Sequence, residues 1–387
     1  MRRDPPLAGR LRPFGTTIFS EMTELAELTG SVNLGQGAPT GGTPPALLDA
    51  AAAAMMAGEN QYPPARGRPE LRAAVAAHQE HHYGLAYDPE HEVLITIGAT
   101  GGVSSALLAL CEPGDEVITL DPTYDVYPAV IALGGAVHRP VPLHPPEWRL
   151  DPAELEAAVT PRSRILLINT PHNPTGRVLD DHDLEAIADV ARRHDLLVVT
   201  DEVYEHLVFD GHRHRSPATL PGMRERTLVL SSAGKTFAVT GWKVGWACGP
   251  APVVRAVEAA SQFLTFTGGA PFQPAVAQIL GEVDAIAPIT ADLGHKRRLL
   301  TEALTAAGLQ PLPSQGTYFL TADIRALGEH DGLAFCRDLP RRCGVVAIPS
   351  GVFFADPDRG RHFVRFAFCA SEEAIGEGAD RLLRLSA

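Results

Sequence analysis

Cysteine is scarce: Cys111, Cys248, Cys336, Cys343 and Cys369 are five of 387 residues, none in a C-x-x-C pair or a His/Cys zinc spacing. That excludes a disulfide framework and a zinc ribbon, and a dispersed, odd-numbered set reads as reduced core residues of a cytoplasmic protein. Long apolar runs are missing too. The longest, such as Ala50–Ala57, fall far short of the ~20 residues that span a bilayer. The N-terminal MRRDPPLAGRLRPFG has basic residues but no apolar stretch behind them, so no signal peptide is expected. Positive charge is in deficit: 33 Lys and Arg face 46 Asp and Glu, for a net −13. This argues against a partner held by neutralising phosphates, and so against nucleic acid. There is no repeat of fixed period.

What is present suits a large globular chain. Hydrophobic residues make 45% and charged residues 20%, enough to bury a sizeable core. Residues 1–45 are rich in Gly and Pro and read as an arm, interrupted by one helix over Ile18–Thr29. From 46 to about 285, short β-branched runs alternate with helical stretches. Val93–Ile97, Glu116–Leu120, Ala136–Pro140, Arg164–Asn169, Leu196–Thr200, Thr227–Leu230 and Val244–Cys248 read as strands, and 103–111, 126–133, 151–159 and 180–194 as helices. Such alternation predicts an α/β fold whose large domain holds a mostly parallel sheet covered by helices. Residues 286–387 carry fewer strands, among them Thr317–Ala322, Val345–Pro349 and Phe363–Phe368, and are expected to form a smaller α+β domain.

Ligands of open α/β sheets gather beyond the carboxyl ends of the strands. Four such ends carry chemistry here: Gly98-Ala99-Thr100-Gly101-Gly102, Thr170-Pro171-His172-Asn173-Pro174-Thr175-Gly176, Asp201-Glu202-Val203-Tyr204, and Ser231-Ser232-Ala233-Gly234-Lys235 followed by Gly241-Trp242-Lys243. Each alone is a turn, a helix cap or a solvated lysine. In this order and at these places they are far more specific.

On these residues the chain resembles the fold type I pyridoxal-phosphate-dependent aminotransferases of class I/II, nearest the branch of N-succinyldiaminopimelate and kynurenine/glutamine aminotransferases. VNLGQGAP at 32–39, Asn60–Tyr62 with Arg66-Gly67, TPHNPTG at 170–176, TDEVYEHLV at 200–208, SSAGK at 231–235, TGWKVGWACGP at 240–250, FTGGAPFQPAV at 266–276 and GTYFL at 316–320 carry the likeness over essentially the whole chain. The resemblance implies a homodimer that transfers an amino group between an amino acid and a 2-oxo acid. Lys235 would hold pyridoxal 5'-phosphate as an internal aldimine and shuttle the α-proton. Asp201 would keep the pyridinium nitrogen protonated. Tyr204 and Asn173 would bond the ring 3-oxygen, and Tyr124 would stack on the ring. The phosphate would meet the N–H groups of Ala99 and Thr100 at a helix start, Ser232, Lys243 and, from the other subunit, Tyr62. Arg365 would grip the substrate carboxylate bidentately, with Asn173, Gly37 and Ala38 beside it.

Three segments depart from the family pattern. Ala38 stands for Phe, Gly101-Gly102 for Glu-Ala, and Thr123 for an aromatic. The replacements by smaller side chains suggest an enlarged pocket. They leave open an alternative chemistry, β- or γ-elimination, replacement or carbon–carbon bond formation on a bulky amino acid such as a methionine or S-adenosylmethionine derivative. Two other readings fare worse. A dinucleotide site would need G-x-G-x-x-G where Gly98–Gly102 reads Gly-x-x-Gly-Gly, and a transcription regulator would need a helix-turn-helix ahead of residue 46. No metal site is expected. His78, His81 and His82 sit on a polar helix and read as solvated, His212 and His214 as loop residues, and Trp242 and Trp246 as packing of their turn.

Overall fold

The computed structural model describes residues 8–15 and 17–385. Its centre is an eight-stranded sheet in the order Val93–Ile97, Val244–Cys248, Thr227–Ser232, Leu197–Asp201, Ser163–Asn169, Glu116–Asp121, Val137–His144, Arg149–Leu150. The five strands from Thr227–Ser232 to Val137–His144 are mutually parallel. Val244–Cys248 runs antiparallel to both neighbours, and Arg149–Leu150 is an antiparallel edge. The inner strands Glu116–Asp121, Thr227–Ser232 and Val244–Cys248 are buried along their whole length, which is why they read as continuous apolar runs.

Helix ends follow local chemistry. Asp151 caps Pro152–Ala157 through the Ala153 amide (2.8 Å), and Asp180 forms a capping box with Asp183 at the start of Asp181–Arg193. The buried stripe of that helix contains Leu184, Ile187, Ala188 and Ala191, as its periodicity predicts. The helix expected over 103–111 starts earlier, at Gly98, directly after its strand.

A second, antiparallel sheet has the order Gln310–Pro311, Phe319–Asp323, Phe363–Ala367, Ile348–Pro349. The segment expected as one strand over 345–349 divides. Val345–Val346 instead pairs in parallel with Val32–Asn33 and fastens the N-terminal arm. One apolar cluster runs from Ile118, Leu166 and Val198 of the large sheet to Phe319, Val364 and Phe366 of the small one. Trp148, fully buried, lies 5.4 Å from Phe363 across that junction.

The solvated reading of His78 fails. His78 is not solvated: it is 3% exposed, and its Nε2 lies 2.7 Å from Nε2 of His206, because the helix Pro69–Tyr83 lays that face on the chain after Asp201. His81 is exposed and His82 half-buried. His212 and His214 are loop residues, the latter bonded to Glu202 (2.7 Å). Trp242 stacks on Phe272 at 4.4 Å. Four of the five free cysteines are buried. Among the described residues no helix is long and apolar enough to cross a membrane.

The tightest backbone approach joins two sheet ends. A Cβ on Gly245 would sit 2.6 Å from the Gly98 carbonyl carbon, with backbone on every near side. Gly245→Ala is therefore expected to cost about 1–3 kcal/mol, read as a lower urea midpoint at unchanged slope. A wild-type midpoint would show that the two strands part freely.

Candidate active site

Strand polarity assembles the site. Four of the five parallel strands bring Asp121, Asn169, Asp201 and Ser232 to one edge of the large sheet, and the reversed Val244–Cys248 brings Lys243 there by its start. Val93–Ile97 delivers Gly98, whose N–H donates to the Lys243 carbonyl at 2.7 Å. Gly98 is left-handed (φ 62°), and a Cβ there would lie 3.3 Å from Lys243 Nζ. Only glycine both adopts that φ without strain and leaves the ammonium room. Between this edge and the small sheet opens a cavity of about 420 Å³.

Asp201 is buried on its floor. Its Oδ2 accepts from Tyr127 Oη (2.7 Å) and its Oδ1 from the Val203 amide (3.3 Å). Burial raises the carboxyl above its ordinary range, while the Tyr127 and Val203 bonds and the Lys235 charge oppose that rise. Lys235 faces the same cavity. Desolvation lowers its ammonium pKa, against the pull of Asp201. Its Nζ lies 6.0 Å from the ring centroids of Tyr204 and Tyr318, and among the described residues no hydrogen bond or ion pair engages it. Asn169 braces the floor, its Nδ2 donating to the Asp201 carbonyl (2.7 Å) and its Oδ1 accepting from the Asn173 amide (2.7 Å).

The roof comes from the small sheet and the arm. Arg365, 1% exposed, donates through Nη1 to Asn173 Oδ1 (2.9 Å) and through Nη2 to the Gly35 carbonyl (3.3 Å). Its guanidinium lies over the Phe319 ring at 3.9 Å and the Phe353 ring at 4.6 Å, and its Nε is buried without a partner. Burial brings its pKa down to about 10. The Gly37 carbonyl accepts from Tyr318 Oη (2.8 Å), and a Cβ on Gly37 would meet Phe319 Cζ at 2.5 Å. Tyr204 stands edge-on to Tyr318 at 5.2 Å.

The residues expected from sequence converge. Gly37, Ala38, Ala99, Thr100, Tyr124, Asn173, Asp201, Tyr204, Ser232, Lys235, Lys243 and Arg365 all line this cavity. Tyr62 does not: it is 81% exposed, its ring edge-on to that of Phe266 at 5.5 Å. Of the small-residue departures, Ala38 is in the wall. Thr123 and Gly101 are not, since Thr123 is buried with its amide on the Phe353 carbonyl (2.7 Å) and Gly101 faces Ile97. Sequence reasoning missed Phe19, Asp125, Tyr127, Asn169 and Phe319. Asn169, the polar end of an apolar strand, carried a usable signal. Tyr127, inside an apolar helix, carried none.

The donor set in the cavity divides by chemistry. A helix start, a hydroxyl and an ammonium (Ala99, Thr100, Ser232, Lys243) suit a phosphate, a buried carboxylate suits a ring cation, and an amine of lowered pKa suits an aldehyde. The glycine-only approach at Gly98 and the unpartnered Arg365 Nε are consistent with a site shaped for an anionic, ring-bearing guest.

Comparison with known proteins identifies the family. The family model described as Aminotransferase class I and II matches residues 29–382. A probable N-succinyldiaminopimelate aminotransferase, DapC, of Mycobacterium tuberculosis is 50% identical over 96% of this chain and 97% of its own. The methionine aminotransferase of Escherichia coli is 38% identical over 97% of each. The solved N-succinyldiaminopimelate aminotransferase from Mycobacterium tuberculosis superposes with a TM-score of 0.96 at 49% identity, covering 98% of this chain and 100% of that one.

Removing the Tyr127 hydroxyl leaves one oxygen of a buried carboxylate without its donor. Tyr127→Phe is expected to destabilise the cofactor-free protein by about 1.5–3 kcal/mol in urea unfolding at neutral pH. A loss below about 0.5 kcal/mol would mean the carboxylate is already served by another group.

Proposed function

The chain belongs to the class I and II aminotransferases, pyridoxal 5'-phosphate-dependent enzymes that move an amino group between an amino acid and a 2-oxo acid, and we propose that the cavity between its two sheets is where it does so. The observation that carries this is the meeting of Lys235, Asp201 and Arg365 in one cavity, from three separate elements. When bound, pyridoxal phosphate supplies an electron sink for the charge left at the substrate Cα. Lys235 would hold it through Nζ. Asp201 would serve its ring nitrogen, Tyr204 and Asn173 its 3-oxygen, and Tyr124 would stack on the ring. The Ala99 and Thr100 N–H groups, Ser232 and Lys243 would take the phosphate.

Arg365 binds the substrate α-carboxylate. Its stacking on Phe319 and Phe353 fixes the fork, and its partial pairing with Asn173 and Gly35 leaves donors for the guest. Lys235 Nζ takes the proton from Cα. Desolvation favours the neutral amine needed for that step. Gly37 and Ala38 bring the arm close over the substrate.

Apart from the groups already assigned, the lining brings the apolar Phe19, Ala38, Val126 and Phe319 together with Thr17, Gln36 and Asp125. Lys235, Lys243 and Arg365 are the cations among the described lining residues, and each already has a task. This favours a donor with an extended, uncharged side chain, such as methionine. The 50% identity to a probable N-succinyldiaminopimelate aminotransferase favours that donor as a second reading. The relatives compared are aminotransferases, so the elimination and replacement alternative is not favoured.

The same reading extends to assembly. Exposed Tyr62, its neighbour Phe266 and the 86% exposed Phe263 offer an apolar face to a second copy, across which Tyr62 reaches the partner's phosphate. We also propose the division into an arm (1–45), a large domain (46–285) and a small domain (286–387), and a reducing, cytoplasmic setting that keeps the buried cysteines free.

Borohydride treatment of the holoenzyme should add the mass of a reduced cofactor to the Lys235 peptide. Lys235→Ala should lose that adduct and about 10²–10⁴-fold or more in turnover. Turnover within tenfold of wild type would sink the assignment. Arg365→Lys should raise the KM for the amino acid more than it lowers kcat, in steady-state assays run in parallel with methionine and with N-succinyldiaminopimelate. A faster rate with the latter would replace the first donor reading by the second.

A further inference from the structure

A second constellation stands apart from the active site. His78 and His82, one turn apart on the helix Pro69–Tyr83, meet His206 from the segment that follows Tyr204. The ring centroids lie 4.6 Å (78–82), 4.8 Å (82–206) and 4.9 Å (78–206) apart, and one ligand nitrogen of each lies within 4.8 Å of those of the other two. His78 is buried and the other two are half-buried. His82 also opens into a separate cavity of about 500 Å³, walled by Phe209 and by Ile286, Thr290, Gly294 and Arg298 of the helix Ile286–Ala306. None of the three histidines lines the active-site cavity.

We propose that His78, His82 and His206 form a binding site for one divalent transition-metal ion of the Zn²⁺, Ni²⁺ or Cu²⁺ class, with its remaining position open to the cavity beside His82. Three imidazoles with an open fourth position are a recurrent zinc geometry, and imidazole suits all three ions. Metal–nitrogen bonds of about 2.0–2.1 Å place tetrahedral ligand nitrogens about 3.3 Å apart. The 2.7 Å contact between His78 and His206 therefore opens slightly and the His82 ring turns inward.

The chemistry of the surroundings agrees. Burial lowers the pKa of His78, and that of His82 to about 4 and of His206 to about 3, so the rings are neutral, as metal ligation requires. Glu205, buried beside them and hydrogen-bonded by Ser231 and Tyr83, carries a charge that acts on both His78 and His206. It places a negative group next to the incoming cation. The bound ion ties the helix Pro69–Tyr83 to the turn that carries Asp201 and Tyr204, so its consequence is a stiffer floor for the active site rather than a part in the chemistry.

The test uses tag-free holoenzyme stripped with EDTA and dialysed. Zn²⁺ is titrated by calorimetry, and Co²⁺ is added to read the visible bands of tetrahedral coordination. One ion per chain is expected, with the bands present. His82→Gln and His78→Gln should each weaken Zn²⁺ binding about 100-fold or more, while pyridoxal phosphate content stays at the wild-type level and the exposed control His91→Gln changes nothing. No saturable Zn²⁺ or Ni²⁺ binding, or equal Zn²⁺ affinity in His82→Gln, overturns the proposal. Should His78→Gln fail to fold, the half-buried His82 position decides alone.

Discussion

A carboxylate buried at the end of a strand is costly unless something there needs its charge, and the arrangement around Asp201 is built on that cost. Desolvation pushes the acid toward its neutral form, and the Tyr127 hydroxyl, the Val203 amide and the Lys235 charge pull it back. Lys235 is desolvated in turn, its ammonium weakened by the same burial. Two groups that would each be content in water are held in one cavity, each partly compensating the other. A bound ring cation completes the compensation for the acid, and an aldehyde removes the amine's charge altogether. The pair is thus under electrostatic tension that a bound cofactor would relieve.

The rest of the fold exists around this edge. Parallel strands put their polar ends on one side of the sheet, and a single reversed strand returns Lys243 to that side. Glycine is demanded where backbones or rings touch: Gly98 against Lys243, Gly245 against Gly98, Gly37 against Phe319. Each contact joins a group that binds to one that supports it. Replacing any of them with a larger residue strains the scaffold and the site together.

Much of this was legible in the residues. Apolar runs of five or six fixed the inner strands, and the polar residue after each run pointed to the cavity, so Asp201, Asn173, Ser232 and Lys235 fell where the pattern placed them. The family likeness added Arg365 and Gly37, which no local pattern singles out. Tyr127 stayed hidden because a tyrosine in the helix Val126–Leu133 looks like core, and its partner is 74 positions away. His78 was misread for a related reason. The helix Pro69–Tyr83 is weakly amphipathic in composition, and only the distant His206 shows which face is covered. Thr123 and Gly101 looked like pocket residues by adjacency to motifs, but the chain turns them into the packing instead.

Arg365 shows why two sheets are needed. It lies on the inner strand Phe363–Ala367 of the small sheet, yet its firmest bond is to Asn173, in the loop that follows the large-sheet strand Ser163–Asn169, and its second is to Gly35 of the arm. A guanidinium so buried and only partly paired is already weakened by desolvation. On the proposed role of Arg365, a carboxylate guest would restore the lost solvation and meet, through one side chain, a group tied to all three parts of the chain. An uncharged analogue of the amino acid, lacking that carboxylate, would leave the guanidinium as it stands.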